Sequence, residues 1–142
     1  MTKPPDDHDR LALVAGSFVI AGFAGEPGSI TGALSITPDE VGRAGETRQL
    51  SGSQRQYTVP TSYWELHARK RRAVGLEECI SELVTRMEPA SNKLQALPSN
   101  VTKKVLVQVS LEPNGSAPGL LLAPELVARL AKLGVALEVD IN

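Results

Sequence analysis

The densest apolar stretch runs from Leu11 to Ala24, and its large residues alternate in direction. Val14, Phe18 and Ile20 fall on one side, with Leu13, Val19 and Phe23 on the other, the pattern of a strand buried on both faces. The glycine-rich turn Gly25-Glu26-Pro27-Gly28 follows. It leads into a short helix predicted over Ser29–Leu34, with Ile30, Ala33 and Leu34 facing the core. Between Ser35 and Ser62 the pattern weakens, and Gly42, Gly45 and Gly52 among Ser, Thr and Gln predict a turn-rich hairpin or mobile loop. Alternation returns at Tyr63-Trp64-Glu65-Leu66-His67-Ala68, with Trp64, Leu66 and Ala68 on one face and Tyr63, Glu65 and His67 on the other.

Leu76, Ile80, Leu83, Val84 and Met87 recur at three- and four-residue spacing, which predicts a helix from Leu76 to about Leu97. Glu77 and Glu78 suit the positive end of its dipole. Pro89 has no N–H and presses on the preceding turn, so a kink or break is predicted there. A strand with one buried face follows, in which Val101, Val105, Val107, Val109 and Leu111 alternate with Lys104, Gln108 and Ser110. Pro113-Asn114-Gly115 and Pro118-Gly119 predict turns. Pro124 opens a helix that Gly134 ends, with Leu126, Val127 and Leu130 as its apolar stripe. A last strand places Val135, Leu137, Val139 and Ile141 inward. The order β-α-β-β-α-β-α-β predicts an α+β two-layer sandwich, a mixed or antiparallel sheet with helices on one face. Its first six elements have the split βαβ order of ferredoxin-like folds, and a C-terminal αβ unit completes it.

Composition changes this picture little. The chain has 142 residues, 42% apolar and 22% charged, with a net charge of −1. That is ordinary globular composition, enough for one domain, expected over 11–142 after a polar, disordered leader at 1–10. The leader carries Asp6, Asp7 and Asp9 against Lys3 and Arg10, whereas an export signal needs a positive start. Fourteen residues broken by Gly16, Ser17 and Gly22 are also too few for a helix across about 30 Å of hydrocarbon. A cytoplasmic protein without membrane contact is expected.

The segments Glu26-Pro27-Gly28-Ser29-Ile30-Thr31-Gly32-Ala33-Leu34, Tyr63-Trp64-Glu65-Leu66, Met87-Glu88-Pro89, Leu122-Ala123-Pro124-Glu125-Leu126 and Leu130-Ala131-Lys132-Leu133-Gly134 make the chain resemble a bacterial family. That family is known as domain of unknown function 4279, and the likeness spans roughly Leu11 to Asn142. The resemblance implies the architecture and no activity. It implies serine where Ala123 stands, so a helix cap worth about 1 kcal/mol is missing. It also implies a Leu-Gly pair where this chain has Leu34-Ser35.

Candidate chemistry is sparse. Two histidines, His8 and His67, and one cysteine, Cys79, give no zinc-ligand spacing, and no cofactor is expected. Cys79 reads as a small core hydrophobe. There is no Gly-x-Ser-x-Gly elbow, and the Gly22–Gly32 turn fits neither phosphate-loop pattern. What stands out is the segment from Arg43 to Arg72. Arg43, Arg48, Arg55, Arg69, Lys70, Arg71 and Arg72 against Glu46 and Glu65 give it +5, leaving −6 elsewhere. It also holds every tyrosine and the tryptophan, Tyr57, Tyr63 and Trp64.

Such a segment suits an interface. The expectation is a non-enzymatic, immunity- or adaptor-like protein. It would dock an acidic partner through Tyr63, Trp64, His67, Arg69, Lys70, Arg71 and Arg72. The alternative is weak binding of single-stranded nucleic acid or nucleotides by phosphate contact and stacking. An enzymatic reading requires a cleft that gathers Glu65, His67 and arginines.

Overall fold

The computed structural model describes residues 12–50, 52–68, 71–72, 75–111 and 120–141. The leader at 1–10, Arg69, Lys70 and the turns expected at Pro113-Asn114-Gly115 and Pro118-Gly119 lie outside these residues. The sheet is built around β1 (Ala12–Ala21), which pairs antiparallel with β5 (Tyr63–His67) on one side and β7 (Thr102–Leu111) on the other. β2 (Glu40–Gly42) adds antiparallel to β5, and β8 (Ala136–Ile141) adds parallel to β7. The order β2-β5-β1-β7-β8 places the first and last strands of the split βαβ core side by side, and the C-terminal αβ unit extends that sheet. The two-residue β6 (Arg71–Arg72) returns to β1 beyond β5.

One face of this sheet is covered. α1 (Pro27–Leu34), α2 (Leu76–Met87), a 3₁₀ turn (Glu88–Ala90), α3 (Ser91–Gln95) and α4 (Pro124–Leu133) all bury residues in one cluster with Val14, Phe18, Ile20, Trp64, Leu66, Val105, Val107 and Val109. Helical periodicity decides which residues enter it: Leu76, Ile80, Leu83 and Met87 form the α2 stripe. Each such side chain contributes about 1.5–3 kcal/mol when removed from water. Gly16 lets α2 come close, because a Cβ there would lie 2.2 Å from Cys79 Sγ. Pro89 acts as predicted, since α2 stops at Met87 and the chain passes through the 3₁₀ turn into α3.

Several expectations need correction. Among the described residues, helices cover β1 on one face only, and Val19 is buried on the other between its cross-strand neighbours Glu65 and Lys104. α1 starts at Pro27, a residue suited to a first helical position, and buries Pro27 with Ile30 and Leu34 while Ala33 is exposed. The α4 stripe is Leu126, Leu130 and Leu133, and Val127, a turn of about 100° away from Leu126, is 48% exposed. Val135, Leu137 and Val139 are half-buried and Ile141 is exposed, because among the described residues β8 is an edge strand with a neighbour on one side. The weakly patterned segment holds β2 and a separate hairpin of β3 (Thr47–Gln49) and β4 (Gln56–Thr58). Among the described residues no helix is long and apolar enough to cross a membrane.

Candidate functional site

Strand alternation sends every second residue to the sheet face that, among the described residues, carries no helix. Tyr63, Glu65 and His67 of β5 lie there, opposite Ala21, Val19 and Ser17 of β1. β2 brings Glu40 directly opposite Glu65 and Gly42 opposite Tyr63. Two carboxylates facing each other across neighbouring strands repel unless something positive or hydrogen-donating lies between them. Here His67 Nε2 stands 3.1 Å from Glu65 Oε1 and 3.8 Å from Glu40 Oε1. The other Glu40 oxygen accepts the Tyr63 hydroxyl at 2.6 Å.

The Tyr63 ring lies on β2 because position 42 is glycine, where a Cβ would come within 2.2 Å of the ring. Burial, with donation to Glu40, raises the phenol to about 12. Arg48 from β3 donates to the same hydroxyl at 2.6 Å, with its guanidinium carbon 5.7 Å from the ring centroid. It also donates to the Val41 carbonyl and pairs with Glu46 at 3.2 Å. The Arg43 backbone N–H holds Glu46 below its ordinary value, helped by the Arg48 guanidinium.

β2 ends before it can cover His67, so side chains replace its ladder. Asp39 accepts the His67 N–H at 2.7 Å, and Arg86 of α2 donates to the His67 carbonyl at 2.9 Å. The backbone of His67 is thereby held from both sides. Beside the cluster lies an open depression of about 250 Å³, lined by Glu40, Glu65, His67, Ser17, Gln108 and the small residues Ala15, Gly16 and Ala68.

The structure divides the expected basic, aromatic patch. Trp64 is fully buried, and its Nε1 donates to Thr31 Oγ1 at 3.1 Å, so it belongs to the core and is no contact residue for a partner. The alternation of β5 requires this, since Trp64 shares a face with Leu66. Tyr63 is half-buried with its hydroxyl engaged, and His67 is exposed but sits against two carboxylates. Arg43 pairs with Glu26, and Arg48 is enclosed as above. Arg69 and Lys70 are outside the described residues, and Arg71 and Arg72 are placed by their backbone pairing with β1. Glu65 and His67 do meet, as an enzymatic reading requires, but in an open depression. Sequence reasoning missed Glu40, Asp39 and Arg86, which the topology brings to His67 from 27, 28 and 19 residues away.

These features define a small α+β sandwich with a bare sheet face that carries a carboxylate–imidazole cluster. The chain belongs to the family described as domain of unknown function DUF4279, whose model matches residues 13–142. No curated protein and no solved structure matches it.

Proposed function

We propose that this protein is a non-catalytic, cytoplasmic binding protein that docks an acidic protein partner along the basic run following β5, in an immunity- or adaptor-like role. The observation that carries this reading is the pairing of β6. Arg72 and Arg71, the last two residues of the run Arg69-Lys70-Arg71-Arg72, lie opposite Leu13 and Val14 of β1. Among the described residues β1 is the sole strand partner of β6. An extended acidic segment can add at such an edge, with main-chain hydrogen bonds giving affinity and arginines selecting carboxylates. Arg43 and Arg48 are matched by acids of their own chain, so selectivity is assigned to the run and not to them. The burial of Trp64 takes the tryptophan out of any stacking role and leaves the exposed Tyr57 ring for it.

The test is fluorescence anisotropy with two labelled probes of equal charge, an alternating Glu-Val peptide and a thymidine oligonucleotide. The peptide is expected to bind, and the Arg69→Glu/Arg71→Glu/Arg72→Glu variant to lose at least tenfold in affinity. Preference for the oligonucleotide with a steep salt dependence moves the assignment to nucleic acid, and binding of neither probe overturns the docking reading.

A further inference from the structure

We infer that Glu40, Glu65 and His67 form a binding site for a divalent transition-metal ion of the zinc type on the bare face of the sheet. The ligand atoms already lie close to coordination geometry. Zinc bonds of about 2.0–2.1 Å in a tetrahedron separate neighbouring ligand atoms by about 3.3 Å. His67 Nε2 is 3.1 Å from one carboxylate and 3.8 Å from the other, and all three donors lie within 4.8 Å of one another. The cross-strand opposition of Glu40 and Glu65 supplies the electrostatic reason. Arg48 is 3.9 Å from Glu40 and already committed to Tyr63, Glu46 and Val41. A cation between the two carboxylates relieves a repulsion that the strand pairing builds in.

The surroundings suit a site rather than a chance cluster. Two of the donors stand on β5 and the third on β2, so sheet hydrogen bonding fixes all three backbones. The His67 backbone is further held by Asp39 and Arg86, and Tyr63 fixes Glu40 through the oxygen turned away from His67. Outer hydrogen bonds of this kind orient metal ligands and tune their affinity. One imidazole with two carboxylates favours zinc or manganese over the thiolate-seeking ions, and the imidazole disfavours magnesium and calcium. Three protein ligands leave a fourth position for water or a small anionic ligand, and the same three residues line the depression together with Ser17 and Gln108. The inference does not rest on the docking reading, because none of its three ligands belongs to the basic run.

The experiment is calorimetric titration of Zn²⁺ into the full chain at neutral pH, with Co²⁺ as a spectroscopic probe and Mg²⁺ as a control. Wild type is expected to bind one Zn²⁺ per chain, to give visible cobalt absorption of a low-coordinate site, and to ignore Mg²⁺. Glu65→Gln and His67→Gln each lose at least tenfold in affinity, while their circular dichroism and melting temperatures show that they fold. Tyr63→Phe weakens binding severalfold without removing it, and His8→Gln in the leader changes nothing. No saturable Zn²⁺ binding by wild type, or wild-type affinity in folded His67→Gln, overturns the assignment. So does loss of binding in His8→Gln alone. The triple arginine variant should bind Zn²⁺ as wild type does, which separates this result from the docking test.

Discussion

Replacing Gly42 by alanine should break the polar corner of the site at its base. The added Cβ would lie 2.2, 2.7 and 2.8 Å from three atoms of the Tyr63 ring. Carbon atoms in good contact are about 3.5–4.0 Å apart, so the ring has to retreat by roughly 1.3 Å or more. Hydrogen bonds that begin at 2.6 Å then stretch to about 3.9 Å, beyond useful length. Overpacking of this kind costs about 1–3 kcal/mol, and each lost hydrogen bond adds about 0.5–1 kcal/mol at a half-exposed site. The gain from removing a flexible glycine offsets about 0.5–1 kcal/mol. A net loss of about 1–4.5 kcal/mol is expected in urea unfolding followed by circular dichroism. The decisive comparison is the same substitution in a Tyr63→Ala background, where no ring is present to collide with. There Gly42→Ala should be neutral or slightly stabilising. An equal cost in both backgrounds would refute the claim that the phenol ring is what requires glycine on β2.

Two helix ends should respond to substitution. Ser35 closes α1 in the left-handed region at φ 57°, a conformation costing an ordinary residue about 1 kcal/mol that glycine avoids; Ser35→Gly should therefore raise the urea midpoint. Ala123 precedes α4 and supplies no side-chain cap, so Ala123→Ser should add about 1 kcal/mol by the same measurement. A third expectation concerns Glu88, which accepts from the Arg129 Nε and Nη2 at 3.0 and 2.6 Å and so ties the end of α2 to α4. The Arg129 hydrogen bond holds Glu88 below the ordinary glutamate value of 4.5. A depressed carboxyl contributes stability above its unfolded value and loses it as pH falls through the folded one. Wild type should thus melt above Glu88→Gln at neutral pH, with the gap closing in acid below pH 4.5; a gap that persists unchanged in acid contradicts the pairing.

The fold was legible because most of its elements bury one face, and burial imposes a period. The α2 stripe, the break at Pro89 and the alternation of β7 follow directly from that. Where burial is partial the reading slips, as at Val127 and Ile141, whose apolar character says nothing about how far the helix layer or the sheet extends. Trp64 shows a different failure. Its alternation with Leu66 and Ala68 already assigns it to the core, whereas treating Arg43–Arg72 as one charged block ignores which face each residue occupies. Glu40 left no trace in the sequence. It sits in a three-residue strand within a turn-rich stretch, and its meeting with Glu65 depends on a pairing register that no local pattern encodes.

The site owes its form to two interruptions of regular pairing along the same line of chain. β2 stops opposite Glu65, and side chains of Asp39 and Arg86 take over the hydrogen bonds of His67. Beyond that point the register against β1 slips by one residue, since Ser17 faces His67 but Val14 faces Arg71. A regular strand would have carried one uniform set of side chains past both places. The acid–imidazole cluster lies at the first interruption, and in the sequence four cations begin two residues after His67. Ligands drawn to the two places must then carry opposite charge. A cation that fills the cluster leaves the basic run free for carboxylates, and an acidic segment held by the run is repelled by Glu40 and Glu65 until a cation neutralises them. If both proposals hold, zinc should strengthen binding of the acidic peptide, and Glu65→Gln should remove that enhancement while leaving zinc-free peptide binding no weaker.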